Sequence, residues 1–400
     1  MLDRRTLFGA TAAVSSFVAG AVSSPFTAKK AKASIPSDVD VQPRSTVGRL
    51  ERIPTLALES REDFLTAFRT FVNTDLTRAA KARADRIMDD AGIGAKSPVS
   101  REKALELLEN DYLVGTRFRA WTSSQRLMWE NLYDEFHGNA EKYLAEMEAT
   151  DNSGPGTLEL NPGMDMPNYV KWEIHQQPGG YVGDPFAGHI YHYGTNDFYM
   201  GLNDQDQIHQ HMARQTPLPT HGDGVQRILD MGCSVGQLSV AMKERFPEAE
   251  VWGIDIGAPM VRYAHMRAVD LGVDVNFAQR LAEDTKFPDN HFDIVISYIL
   301  HHEVTNEASK QIIAEAHRVL KPGGVFYPVD FYTAARTKPK TGWEQVRWWW
   351  THRWNHEVWY YDYVDVDFPA EMKKAGFDVN EEGPNSGRYE GGNLAGIKRA

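Results

Sequence analysis

Two hydrophobic patterns divide the chain. Between residues 60 and 150, apolar side chains recur every three or four positions, as Phe64, Leu65 and Phe68 do, which predicts amphipathic helices. From about residue 225, short and continuous apolar runs alternate with helical segments. Such runs predict buried strands, and their alternation with helices predicts a parallel sheet covered on both faces.

The apolar runs give the expected positions of the strands. They are ILDM at 228–231, VWGID at 251–255, VNFA at 275–278, FDIVISYIL at 292–300 and GVFYPVDF at 324–331. Two more strands are expected near 377–383 and 394–398, which completes an α/β fold with seven strands, mostly parallel. In the helical part, TSSQ at 122–125 fits a capping box and predicts the start of a third helix.

The remaining segments indicate how the chain is divided. Residues 34–59 contain three prolines and are expected to be a linker. Residues 60–224 are expected to form a helical and polar-aromatic cap, and residues 225–400 the α/β domain. The polar-aromatic stretch at 169–211 predicts either a wall that faces a substrate or ordinary packing of the cap on the next domain.

An insertion at 332–366 is rich in aromatic and cationic side chains. Six of the chain's ten tryptophans lie between residues 343 and 363. Such a segment can form a lid over an aromatic or anionic small molecule by stacking and cation–π contact, with Trp348 and Trp349 as candidate substrate-binding residues. It can also bind a membrane interface, or pack as a helix on the N-terminal helices.

Residues 1–33 resemble a bacterial twin-arginine signal peptide. Arg4 and Arg5 precede an uncharged and mildly apolar stretch, and AKA at 31–33 fits a small-x-small cleavage pattern. Signals of this kind export proteins that are already folded. We therefore expect a periplasmic protein, or a cytoplasmic one if this interpretation is wrong, with membrane contact only through this segment where it is uncleaved.

Charge and cysteine content exclude several kinds of site. The net charge of −12 argues against a nucleic-acid surface, because phosphate binding needs a basic footprint. Cys233 is the one cysteine, so neither an intramolecular disulfide nor a cysteine zinc site can form. His189 and His192, and likewise His209 and His211, lack the helical spacing and glutamate of a zinc motif, so no metal site is predicted.

The stretch DMGCSVGQ at 230–237 can be interpreted in two ways. Gly232, Ser234 and Gly236 fit the G-x-S-x-G turn that carries the serine nucleophile of α/β-hydrolases. They also fit a glycine-rich turn between a strand and a helix, where a nucleotide-like ligand approaches the backbone. Asp255 favours the second interpretation, because it ends the next strand, where a carboxylate can accept hydrogen bonds from two ribose hydroxyls.

Two later motifs support a cofactor site. LAED at 281–284 follows the third strand, and KPGG at 321–324 turns a helix into the next strand. Together with the 230–237 turn and Asp255, they resemble the class I S-adenosylmethionine-dependent methyltransferases, and within them the small-molecule quinone-biosynthesis C-methyltransferases. The resemblance covers 225–331 well and 332–400 loosely, and it implies a Rossmann-like fold.

The same resemblance implies S-adenosyl-L-methionine as the cofactor. The residues it places around the cofactor are Asp230, Gly232, Ser234, Gly236, Asp255, Ile256, Ala282, Glu283 and Asp284. Ser234 stands where the family has a glycine, which weakens that one motif. The hydrolase interpretation leaves the acidic residues of the second and third strands unexplained.

The implied activity is methyl transfer to a small-molecule acceptor, in class EC 2.1.1. The resembled family faces its substrate after the fourth strand, where SYILHHE places Tyr298, His301, His302 and Glu303. His301 and His302 are the candidate catalytic residues, as a base or a hydrogen-bond partner of the acceptor, and Tyr298 is a candidate substrate contact. The alternative is an exported, non-catalytic ligand-binding protein on this fold, because S-adenosylmethionine is made in the cytoplasm.

Overall fold

A computed structural model describes residues 56–331, 339–381, 383–384 and 393–399 of the chain. The predicted signal at 1–33 and nearly all of the predicted linker therefore lie outside the described residues, as do residues 332–338 of the insertion. Within the described part of the chain, none of the helices combines the length and the apolar character that crossing a membrane requires.

The N-terminal region is helical, as predicted. Its helices are α1 (Leu56–Phe71), α2 (Thr77–Asp90), α3 (Arg101–Leu108), α4 (Tyr112–Gly138) and α5 (Ala140–Thr150). Asp111 begins α4, because its carboxylate accepts hydrogen bonds from the Leu113 and Val114 amides at 3.1 and 3.2 Å. The capping box predicted at residues 122–125 is wrong: Thr122 lies inside α4, and its hydroxyl donates to the Phe118 carbonyl oxygen.

The polar-aromatic stretch connects these helices to the sheet. It contains two short 3₁₀ turns, Asn168–Val170 and Ile174–Gln176, followed by α6 (Ala187–Phe198) and α7 (Gln207–Gln215). Helix α6 packs between α4 and the sheet domain. Its Gly194 allows this, because a Cβ atom there would overlap the ring of Trp129 on α4.

The α/β domain is built on eight strands. They are β1 (Leu158–Glu159), β2 (Arg227–Met231), β3 (Glu250–Asp255), β4 (Asn276–Gln279), β5 (Phe292–Tyr298), β6 (Leu320–Val329), β7 (Phe377–Asn380) and β8 (Ala395–Lys398). Their order in the sheet is β1-β4-β3-β2-β5-β6-β8-β7, and β8 alone runs antiparallel to its neighbours β6 and β7. This confirms the predicted fold class. The additional strand, β1, comes from the N-terminal region.

Helices cover both faces of the sheet. They include α8 (Gln237–Arg245), α9 (Ala258–Leu271), α10 (Asn306–Val319), α11 (Gly342–Trp354), α12 (Tyr360–Asp365) and α13 (Phe368–Ala375). Ile228 and Leu229 are both fully buried, and they belong to apolar clusters on opposite faces. This is why β2 reads as a continuous apolar run: alternate side chains need a hydrophobic environment on either side.

The described part of the aromatic insertion packs on the N-terminal helices. Trp343 and Trp350 of α11 stack on Phe118 of α4, with ring centroids 5.5 and 5.1 Å apart, and Trp350 meets Trp121 edge to face at 4.9 Å. Of the three alternatives for this insertion, the structure supports the packed helix. Aromatic pairs of this kind add about 0.5–1.5 kcal/mol each beyond the area they bury.

Replacing Phe118 by alanine should loosen this contact. We expect the free energy of unfolding to fall by about 3 kcal/mol, since the change leaves a cavity between α4 and α11. Urea denaturation followed by tryptophan fluorescence measures the loss. Tyr112→Ala on the same helix is the control, because Tyr112 is 87% exposed and its removal should change stability by no more than about 0.5 kcal/mol. Equal losses in the two variants would contradict the assignment of Phe118 to the contact.

Candidate functional site

The turn after β2 brings the backbone close to the end of the sheet. Gly232 and Gly236 have positive φ angles of 69° and 74°. A Cβ atom on Gly232 would lie 2.8 Å from a methyl carbon of Leu300, and one on Gly236 would lie 2.7 Å from the ring of Phe277. Both positions therefore require glycine, for conformation and for space.

Asp255 holds this turn against the end of β3. One carboxylate oxygen accepts a hydrogen bond from the Ser234 amide at 3.0 Å, and the other accepts one from the Gly257 amide at 2.8 Å. Burial raises the pKa of Asp255 to about 6, although these two amides favour the ionised form. The predicted ribose-binding carboxylate thus has a fixed position.

A cleft opens beside Asp255. It encloses about 620 Å³ of space, part of which is open to solvent. Gly232, Asp255, Ile256, Ala282 and Glu283, all predicted from the sequence, line it. The structure therefore brings together five of the nine predicted cofactor residues in one cleft.

Asp230 lies in a second, smaller cavity on the other side of the turn. Gly232 and Ser234 also line it, together with Tyr298, the predicted substrate contact. The Ser239 hydroxyl donates to one oxygen of the Asp230 carboxylate at 2.6 Å, while the other oxygen is buried without a hydrogen-bond partner among the described residues. Burial raises the pKa of Asp230 to about 7.

Glu283 and Asp284 differ in their surroundings. Glu283 lines the cleft and accepts a hydrogen bond from the Tyr169 hydroxyl. Asp284 is exposed and pairs with Lys286 at the surface, so the structure does not bring this predicted cofactor residue into the cleft with Glu283. The reason is the tight turn Leu281–Asp284, which directs consecutive side chains to different sides.

The two candidate catalytic histidines do not line the cleft. His301 points into the core, where its Nδ1 lies 2.9 Å from the Ser309 hydroxyl and its ring packs edge to face on Phe368. The structure therefore does not place this predicted catalytic residue at the cleft. His302 is buried behind the cleft, with its Nδ1 2.9 Å from a carboxylate oxygen of Asp330. Burial alone would lower the pKa of His302, but Asp330 raises it to about 10.

Trp348 and Trp349 also lie away from the cleft. Trp348 packs on Tyr360, with ring centroids 4.7 Å apart. Trp349 lines a separate cavity between α4 and α11, beside Phe118. The structure therefore does not place these two predicted substrate contacts at the cleft, because α11 packs on the N-terminal helices.

Other residues take the place of those histidines and tryptophans. Tyr169, Tyr181 and Glu303 line the cleft opposite the turn, and the Tyr181 hydroxyl donates to a Glu303 carboxylate oxygen at 3.1 Å. Part of the polar-aromatic stretch thus lines the cleft, while its helix α6 packs between α4 and the α/β domain, so both arrangements that the sequence left open occur. Glu357 reaches the same region from the insertion, and no local motif in the sequence indicated it.

The comparisons with known proteins agree with this geometry. Residues 228–324 match the family described as a methyltransferase domain. The chain is 36% identical to the demethylmenaquinone methyltransferase of Thermus thermophilus over an alignment of 107 residues. This alignment covers 26% of this chain and 47% of that protein. The chain is also 36% identical over 108 residues to a ubiquinone/menaquinone biosynthesis C-methyltransferase of Cupriavidus metallidurans, covering 26% and 43%.

The chain thus spans less than half the length of these curated relatives. A solved structure of Haemonchus contortus phosphoethanolamine N-methyltransferase 2 with S-adenosyl-L-methionine is 18% identical and covers 49% of this chain and 53% of that one, with a TM-score of 0.35. A score of this size carries no information on activity. The domain match supports the predicted class I methyltransferase domain over residues 228–324.

The site residues fit S-adenosyl-L-methionine, the predicted cofactor. The unpartnered Asp230 oxygen suits the ammonium group of its methionine part, since a buried carboxylate needs a charged or hydrogen-bonding partner. Asp255 suits the ribose hydroxyls, and the cleft at Ile256, Ala282 and Glu283 suits the adenine. Gly232 and Gly236 have no side chains, so the ligand can approach the backbone of this turn.

Ser234 occupies a left-handed conformation, with a φ angle of 51°, where the resembled family has glycine. Replacing it by glycine should raise the free energy of unfolding by about 1 kcal/mol, because side chains with a Cβ atom are strained there. Thermal and urea denaturation measure the gain. Ser234→Ala removes the hydroxyl but keeps the Cβ atom, so it should not stabilise; equal stabilisation by both variants would show that the hydroxyl, not the backbone, is responsible.

Proposed function

We propose that this protein transfers a methyl group from S-adenosyl-L-methionine to a small-molecule acceptor. The observation that carries the proposal is the cleft in which Gly232, Asp255 and Glu283 meet Tyr181 and Glu303. The first three residues belong to the cofactor side, and the last two offer polar groups on the facing wall. The alternative, an exported and non-catalytic ligand-binding protein, would use both walls to hold its ligand but needs no proton acceptor such as Glu303.

The cofactor, when bound, supplies a methyl group that its positive sulfur has already activated. The protein therefore mainly has to align the acceptor and exclude water. Tyr169, Trp172 and Ile174 contribute apolar and aromatic surface to the wall that would hold the acceptor. Walls of this composition suit a flat aromatic or partly apolar molecule better than a sugar or a peptide.

Glu303 is the group best placed to take a proton from the acceptor. Its carboxylate lies at the cleft, with one oxygen held by the Tyr181 hydroxyl at 3.1 Å. A base is useful where the acceptor loses a proton as the new bond forms. Tyr181 keeps the carboxylate oriented, and burial raises the pKa of its phenol, so it remains a hydrogen-bond donor.

Two curated relatives are named for methylation in quinone biosynthesis. Because this chain covers less than half of each, their acceptors guide only the choice of compounds for screening. Demethylated quinones and simpler dihydroxy aromatic rings are the first set, since they fit the aromatic wall. Transfer is followed by the S-adenosylhomocysteine formed and by the mass of the product.

Binding of the cofactor gives the most direct test. Calorimetric titration of the purified protein with S-adenosyl-L-methionine and with S-adenosylhomocysteine should give micromolar dissociation constants. Asp255→Ala should weaken both about 100-fold or more, because it removes the partner of the ribose and releases the 234 and 257 amides. Asp378→Ala is the control, since Asp378 pairs with Arg399 at the surface. The absence of binding in the unmodified protein would reject the proposed function.

The affinity for the cofactor should depend on pH. Because Asp230 has a pKa of about 7 in the free protein, it holds a proton below pH 7 and must lose it to face the ammonium group. The affinity for S-adenosylhomocysteine should therefore rise about fivefold from pH 6 to pH 7 as Asp230 ionises, and about twofold more as Asp255, with a pKa of about 6, ionises. Titrations in matched buffers measure it. Asp230→Asn should bind more weakly and lose most of this dependence; an unchanged pH profile would remove Asp230 from the site.

We also propose that residues 1–33 direct export, as expected from the sequence. A protein exported after folding could carry its cofactor with it. Fractionation of cells that express the full chain would locate the product and reveal whether the segment is cleaved. A cytoplasmic and uncleaved protein would withdraw this part of the proposal and leave the methyltransferase activity unaffected.

A further inference from the structure

A cluster of ionisable side chains lies directly behind the cleft. It brings together His175 from the cap, His302 from the end of β5 and Glu357 from the insertion. One potential ligand atom from each lies within 4.8 Å of the others. His302 is 2% exposed and Glu357 7% exposed, so the cluster is withdrawn from bulk water but adjoins Glu303 at the cleft.

The distances within the cluster suit a metal ion. His175 Nε2 lies 3.1 Å from a Glu303 carboxylate oxygen, and His302 Nε2 lies 3.7 Å from the same oxygen. His302 Nε2 lies 4.0 Å from a Glu357 carboxylate oxygen. Ligand atoms bound to one ion at about 2.1 Å are separated by about 3.0–3.5 Å, so small side-chain shifts would close the site.

His302 pairs with a carboxylate through Nδ1, an arrangement that is typical of metal-binding histidines. Its Nδ1 lies 2.9 Å from Asp330, a fully enclosed carboxylate that also accepts the His301 amide at 2.8 Å. A carboxylate on one ring nitrogen fixes the tautomer and directs the other nitrogen towards the ion. Here that other nitrogen, Nε2, faces Glu303 and Glu357, and it would release its proton to solvent as the ion binds.

His175 is held in place by its backbone. It has a positive φ angle of 56°, and its carbonyl oxygen accepts hydrogen bonds from the Gln125 amide at 2.9 Å and the Trp129 indole at 2.8 Å. Non-glycine residues in this conformation are strained and persist where surrounding contacts enforce them. The strain here directs an imidazole into the cluster.

Glu357 supplies an independent indication of a ligand. Its Oε1 is held by the Asn355 amide at 3.2 Å and lies 3.3 Å from His175 Nδ1. Its Oε2 is buried and has no hydrogen-bond partner among the described residues. A buried carboxylate oxygen without a hydrogen bond is costly, and a cation beside it would remove the penalty.

We propose that His175, His302 and Glu357 bind a divalent first-row transition-metal ion, with Glu303 as a further donor on the side of the cleft. Two imidazoles and carboxylate oxygens suit Zn²⁺, Fe²⁺ or Mn²⁺, and do not favour Mg²⁺ or Ca²⁺. The ion would join three separate parts of the chain behind the acceptor wall. None of the three main ligands lines the cleft, so metal binding does not require methyl transfer, but Glu303 belongs to both this site and the proposed methyl-transfer site.

Metal binding is tested on the full chain without cofactor. After dialysis against a chelator, the protein is titrated with ZnCl₂ and with MnCl₂ by calorimetry, and the bound metal is counted by mass spectrometry. One ion per chain with a micromolar or tighter dissociation constant is expected for at least one metal. No bound ion, with either metal, would overturn the proposal.

Variants locate the ion. Glu357→Gln and His302→Ala should each weaken binding at least about 100-fold, since each removes a direct ligand. His137→Ala is the control, because this histidine pairs with Asp184 elsewhere on the molecule and its loss should leave the affinity unchanged. Binding that persists in both cluster variants would place the ion elsewhere and overturn the proposal.

A spectroscopic measurement keeps the test decisive if a variant fails to fold. X-ray absorption at the zinc edge of the unmodified, zinc-loaded protein should show two imidazole nitrogens at about 2.0–2.1 Å and carboxylate oxygens in the remaining positions. A ligand set without two imidazoles would overturn the proposal. Titration of the same sample with S-adenosylhomocysteine reports separately on the proposed function, so the two failures are distinguishable.

Discussion

The bridge that Asp255 makes between two backbone amides is the interaction on which the site depends. Its two carboxylate oxygens hold the Ser234 amide, after β2, and the Gly257 amide, after β3. These turns follow adjacent parallel strands, so they lie at the same edge of the sheet, where α/β folds bind their ligands. Without the bridge, the left-handed turn at residues 232–236 would have to keep its shape from glycine conformation and packing alone.

The sheet and the cofactor turn could be predicted because their signals are local. A strand such as β2 is buried on both faces and therefore appears as an apolar run, whatever it packs against. The glycines at 232 and 236 mark positive φ angles in the same direct way. A local signal can also mislead, as it did at the start of α4. Asp111 caps this helix, so the capping-box sequence at 122–125 lies in the helix interior, where the Thr122 hydroxyl donates to an earlier carbonyl oxygen.

The acceptor side could not be predicted, because partners distant in sequence decide where its side chains point. His301 and His302 are adjacent, yet Ser309 and Phe368 draw one ring into the core and Asp330 holds the other behind the cleft. Trp348 and Trp349 were expected over a substrate for their composition, but α11 packs against helices more than 200 residues earlier in the chain. Glu357 carries no motif at all, and only the fold brings it to His175.

Strand β1 limits how the molecule can move. It consists of two residues from the cap side, paired in parallel with β4, and the Phe277 amide donates to the Thr157 carbonyl just before it. A second attachment runs in the opposite direction: α11 of the α/β domain stacks Trp343 and Trp350 on Phe118 of the N-terminal helix α4. A hinged separation of the two halves would have to break the pairing of β1 with β4 or the aromatic contacts of α11. The turns around 168–183 line the cleft, so their local opening is a motion that these attachments still allow, and it would influence how long a bound molecule stays.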